Sequence, residues 1–153
     1  MGLADVAAGL VALVNGVTPT TAAGLPYTHH PDDAAEPLEN AAGMRSRLFA
    51  VRWPGSPMAR QFIASQVLEY PAQDFELRVS YARADWTTEL EMRAAMAQDA
   101  SALFAALYPV SAWETFATDL HISTDTDRDD QGAESGLLVA STLILRGTVE
   151  WEA

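Results

Sequence analysis

The chain has no cysteine and no lysine; its nine basic residues are all arginine. Without cysteine, a disulfide scaffold and thiolate metal sites are excluded. Positive charge is scarce. The 9 arginines face 21 carboxylates, and the net charge is -12 at pH 7. That balance argues against wrapping nucleic acid by neutralising its phosphates. It argues equally against an anionic membrane surface. The apolar run near the N-terminus falls short of the roughly 20 residues that span a bilayer. A G-x-S-x-G elbow, a P-loop and a dinucleotide fingerprint are all missing. The residues therefore offer no convincing catalytic constellation, and no catalytic residue or cofactor is expected.

What the chain does have is material for a core. Hydrophobic residues make up 49% of its 153 residues. Wholesale disorder does not fit that composition. A single domain of this length buries roughly 68–70% of the surface its unfolded chain exposes.

The clearest pattern lies in residues 75–108. Phe75, Leu77, Val79 and Tyr81 alternate with Glu76, Arg78 and Ser80, which predicts a half-buried strand. Residues 71–74 read as the turn leading into it. Thr88 and Glu91 form a capping-box pattern. Leu90, Ala94, Ala97, Phe104 and Leu107 then suggest the buried stripe of a long helix. Pro109 ends that helix and disfavours helical geometry at Tyr108.

Before this unit, Leu3, Val6, Ala7, Leu10, Leu13 and Val14 recur at helical spacing, predicting a helix over residues 3–15. Asn15 and Gly16 suggest a left-handed cap. Asp5, with no arginine nearby, speaks against a signal peptide. Residues 17–43, with Pro19, Pro26, Pro31 and Pro37, read as a long loop with a helical turn at 34–42. A loop this long is commonly functional, and an arm over a neighbouring subunit would fit. Strands are expected at 45–53 and 62–70, the latter forming a hairpin with the 75–81 strand. After the long helix, residues 115–124 alternate again. Residues 125–136 read as an acidic loop, and 137–151 as one long strand. Apolar residues on both faces of its first half mark it as central. Gly147 is a candidate bulge or twist. The fold class is α+β: a mainly antiparallel sheet of four or five strands, with an N-terminal helix and one long helix packed on one face, ordered α-β-β-β-α-β-β.

Two clusters invite a metal. Asp125, Asp127 and Asp129 match the first, third and fifth ligands of an EF-hand loop. Asp130 stands where glycine belongs and Gly136 where the bidentate glutamate belongs, so a solvated hairpin loop is the better reading. His29, His30, Asp32 and Asp33 sit on a proline-rich loop, where adjacent side chains rarely converge on one ion. His121 falls on the polar side of a strand. Trp53, Trp86, Trp113 and Trp151 read as packing anchors.

The order of elements resembles that of tail terminator (tail completion) proteins of long-tailed bacteriophages and gene transfer agents. The resemblance runs from the N-terminal helix of Leu3 to Val14, through the strand ending in Val51, Arg52 and Trp53, to the strand of Phe75 to Tyr81. It continues through the long helix and a closing hairpin that ends at Gly147 to Trp151. It implies a structural virion protein at the tail–neck junction, assembled in the host cytoplasm. Six copies would form a ring that caps the tail tube, ends its polymerisation and meets a head-completion or stopper protein. DNA would pass through the lumen without specific binding, and no membrane is involved. On this reading Asp125, Asp127, Asp129 and Asp130, or Asp32, Asp33 and Glu36, line the lumen or an interface. Three alternatives remain: another neck protein; a small enzyme or ligand-binding domain with polar groups converging on a pocket; or a bacterial regulatory or antitoxin-like domain, for which the sequence carries no specific mark.

Overall fold

The computed structural model describes residues 2–30, 45–54, 58–59, 71–132 and 136–152. The expected strand at 62–70 and helical turn at 34–42 lie outside these residues. The architecture is α+β, as expected. The elements run α1 (Leu3–Asn15), β1 (Thr28–His29), β2 (Leu48–Arg52), β3 (Met58–Ala59), β4 (Pro71–Ala82), α2 (Glu89–Leu107), α3 (Val110–Trp113), β5 (Asp119–Gln131) and β6 (Ala140–Glu150). They form one sheet in the order β1-β2-β4-β6-β5, with β3 also paired to β4. The β1–β2 pair is parallel and the rest are antiparallel.

Alternation builds the sheet. Phe75, Leu77, Val79 and Tyr81 of β4 join Phe49 and Val51 of β2 and Leu143, Leu145 and Val149 of β6 in one core. Val6, Leu10 and Val14 of α1 and Met92, Met96, Leu103 and Leu107 of α2 close over it. Strand β6 lies between β4 and β5. Ala140, Thr142 and Ile144, on its other face, are buried too. That is the two-sided burial its apolar run predicted.

Several local expectations need correction. Residues 71–74 belong to β4, because Ala72, Gln73 and Asp74 continue its ladder with β6. The buried stripe of α2 is Met92, Ala95, Met96, Asp99, Leu103 and Leu107. Leu90 is 77% exposed, and Ala94 and Ala97 are also exposed. The two stripes lie on largely different faces of the helix and share only Leu107, and the long methionines favour the observed one. Thr88 caps α2 as predicted, its hydroxyl accepting the Glu91 amide at 3.1 Å. Tyr108 stays right-handed helical despite Pro109 and donates to the Phe104 carbonyl. Gly16 closes α1 in the right-handed region, at φ -78°. The last strand begins at Ala140, not 137, because the turn after β5 continues through Val139. Leu137 is 74% exposed in that turn.

Two glycines permit close packing. A Cβ on Gly9 of α1 would lie 2.4 Å from the Phe116 ring. A Cβ on Gly147 would lie 2.5 Å from the His121 carbonyl and 2.6 Å from the Phe75 ring.

Candidate functional site

The acidic run is a strand, not a loop. Strand β5 carries Asp125, Asp127, Asp129 and Asp130 and pairs with β6 as far as Gln131↔Ala140. Strand β6 supplies ladder partners on both sides of a single irregularity, so an acidic sequence with little strand character of its own is held extended. Tertiary pairing outweighs local preference here. The ladder is broken once. Between Ile122↔Gly147 and Thr126↔Leu145, β5 advances four residues while β6 advances two. The bulge falls opposite Gly147, the glycine expected to mark an irregularity. It bends the strand and re-aims the residues beyond it.

Beyond the bulge the acidic side chains divide between the two faces. Asp130 points at α2. Its carboxylate accepts two bonds from the Arg93 guanidinium, both 2.9 Å, and one from the Ser141 hydroxyl at 2.6 Å. Arg93 chiefly holds the Asp130 carboxyl below the ordinary carboxylate range, against a smaller opposing effect of burial. Asp127 lies on the other face, where its carboxylate accepts from Arg146 at 3.3 Å. The Arg128 amide is the main cause of its lowered pKa, with Arg146 second. Asp125 and Asp129 are exposed. Strand β5 also ends the sheet, so its outer side has no neighbour among the described residues. Asp32, Asp33 and Glu36 lie outside the described residues.

A groove runs between β5 and α2. Arg93, Met96, Ala97 and Ala100 form one wall, with Thr126 and Arg128 opposite and Leu143 beneath. The sheet face away from the helices is polar at its β5 end. Arg52, Glu76 and Arg146 lie side by side on neighbouring strands. Glu76 pairs with Arg78 at 3.1 Å and with Arg146 at 3.7 Å, and Arg146 reaches on to Asp127. Charges of alternating sign thus cross the sheet. His121, exposed as expected, borders a cleft there with Asp74, Glu76, Arg146 and Thr148. Its principal charges already have protein partners. Thr148 donates to Asp74 at 2.8 Å, and Glu76 and Arg146 pair with each other. No group of three metal-ligating side chains occurs among the described residues. No helix among them is long and apolar enough to cross a membrane.

The most elaborate polar cluster was not foreseen. Arg47 was expected to alternate within a strand. It sits instead just before β2 with φ 63° and is fully buried. Its guanidinium donates to the Asp99 carboxylate at 2.7 and 3.1 Å and to the carbonyls of Ala22 and Leu25, each at 3.0 Å. Tyr81 donates to Asp99 at 2.6 Å. The rings of Tyr27 and Trp86 lie 5.8 and 5.6 Å from the guanidinium carbon. Burial is the largest single effect and works against the charge on Arg47, but the hydrogen bond and charge of Asp99, together with Tyr81 and Tyr27, leave the pKa raised. Burial, then the Asp99 charge, pushes the Tyr81 phenol well above its ordinary range. The cluster joins α2, β4 and the 17–27 loop, and every charge in it is matched internally. The signal that could have revealed it is Asp99 itself, a lone carboxylate in the apolar stripe of α2. The four tryptophans pack as expected: Trp113 and Trp151 are buried, Trp53 lies 6.2 Å from Phe75, and Trp86 donates to Ser46 at 3.0 Å.

Compared with known protein families and with curated proteins, the sequence matches none.

Proposed function

We propose that this chain is a structural subunit of a phage-type tail, forming a ring that ends tube polymerisation and joins the tube to the head connector. The observation that carries the reading is the strand β5: 13 residues long, at the sheet margin, with outward carboxylates. A long sheet edge is a ready site for pairing with another chain. The order of α1, the sheet, α2 and the closing β5–β6 hairpin supports the same reading by resemblance. Carboxylates around a lumen would repel DNA and let it slide through. The reading involves no catalysis.

The test is end-capping. Purified chain is added to tail tubes in an elongation assay, and tube ends are imaged. Capped ends and arrested growth are expected. Tubes that grow unchanged with bare ends count against a terminator. One observation favours a ligand-binding domain as a second reading: the cleft at His121. The paired charges on its walls make it the weaker one.

A further inference from the structure

We infer that the open edge of β5 and the groove beside it form a docking site for an extended segment of a different protein, one in which apolar side chains alternate with arginine or lysine. The inference goes beyond the ring reading. It uses only the edge and the groove, and it stands or falls apart from closure of a ring. The groove is continuous along α2. A pocket of about 480 Å³ lined by Leu143 and one of about 380 Å³ reaching Phe104 and Leu145 share Ala97, Ala100 and Thr126. Ala97 is exposed and Ala100 half-buried. Their side chains are too short to close the space between helix and strand, so it stays open. On its other side β5 has no neighbour in the sheet among the described residues. An unpaired edge and an unfilled groove therefore lie together.

Register decides what fits. Thr126 and Arg128 pair with Leu145 and Leu143 on the helix-facing side of the sheet, whereas Asp127 and Asp129 pair with Ile144 and Thr142 on the other side. A strand added to the free edge alternates in step with β5. Every second side chain then enters the groove, which is apolar toward Phe104 and Leu145. The side chains between them come to lie beside Asp127 and Asp129, both exposed. Opposite charges across a strand pair are stabilising and like charges destabilising, so cations belong there. A segment lying along residues 126–131 leaves Asp119 and Asp125 uncovered.

A second copy of the chain does not supply such a segment. Facing Asp127 and Asp129 takes two cations spaced two residues apart. The chain has nine arginines and no lysine, and only Arg45 and Arg47 have that spacing. Arg47 is buried against Asp99. The partner is therefore another protein.

Two labelled peptides test this on the full chain. One repeats Val-Arg over a length that spans residues 126–131; the other has the same composition with its valines and arginines in separate blocks. Both carry the same charge, so attraction to a chain of net charge -12 acts on both alike. Fluorescence anisotropy at about 0.1 M salt, where the Debye length is about 10 Å, reads binding. The alternating peptide should bind on the order of tenfold more tightly than the block peptide, since only it matches groove and carboxylates together. It should also slow amide exchange within residues 123–131, because a paired strand covers the free edge. Ala97→Phe, which fills the groove, and Asp129→Lys should each weaken the alternating peptide by roughly fivefold. Ala97→Phe should leave the block peptide unaffected. Thermal unfolding confirms that the variants fold, and Ala97→Leu replaces Ala97→Phe if that variant does not. Equal binding of the two peptides would show attraction by charge alone and overturn the inference. No binding, or slowed exchange only outside β5, would overturn it too. Exchange in β5 that slows as the concentration of the chain alone rises would give the edge to a second copy and overturn the choice of partner. The end-capping assay decides the ring reading separately, because capping does not require either peptide to bind.

Discussion

At the scale of single residues, the strongest internal constraint is the Arg47–Asp99 pair, with the two side chains 0% and 2% exposed. Removing one partner of a buried pair leaves the other charge uncompensated, which costs about 3–5 kcal/mol. Asp99→Ala should lose stability on that scale in denaturant unfolding, and Tyr81→Phe should lose less, since it leaves the ion pair intact. Equal small losses would show that the pair contributes little. This cluster was only partly legible in the sequence. A carboxylate inside an apolar helical stripe is a readable anomaly. Its partner 52 positions earlier is not, because only the folded chain brings the residue that precedes β2 to α2. The left-handed backbone of Arg47 was equally hidden, since that region is ordinarily left to glycine and asparagine.

At the scale of elements, β5 is held to the rest of the fold by Asp130 and Arg93 as well as by its ladder. Folding lowers the Asp130 pKa, so the unfolded chain takes up the proton first as pH falls. The stabilisation is present above the ordinary Asp value of about 3.9 and is lost as pH falls toward the lower, folded value. Asp130→Asn should be less stable than wild type near neutrality, and the difference should shrink in acid. Unfolding measured across that range checks this; a constant difference would contradict it. Elements with strong alternation were readable. Phe75 to Tyr81 and the apolar run of β6 announced the central strands, and Thr88 announced the start of α2. The acidic strand was not readable. Asp125 to Asp130 have the composition of a turn, and only pairing with β6 makes them extended. The exposed Leu90 misled in the opposite direction, because leucine at helical spacing marks a stripe whether or not the helix turns that way.

At the scale of the whole molecule, the sheet has a long acidic strand at one margin, within a chain of net charge -12. A surface of one dominant sign keeps separate copies apart unless a specific contact overcomes it. The central claim is that such a contact exists and closes into a ring. The most direct measurement is the mass in solution across a concentration series, read by light scattering, with negative-stain images of the same samples and of samples mixed with tail tubes. The account predicts a closed ring of about six copies with a central hole, reached as concentration rises, because subunit association follows mass action. A mass of 16.5 kDa, that of one chain, at every concentration, with no ring on the tube ends, would contradict it.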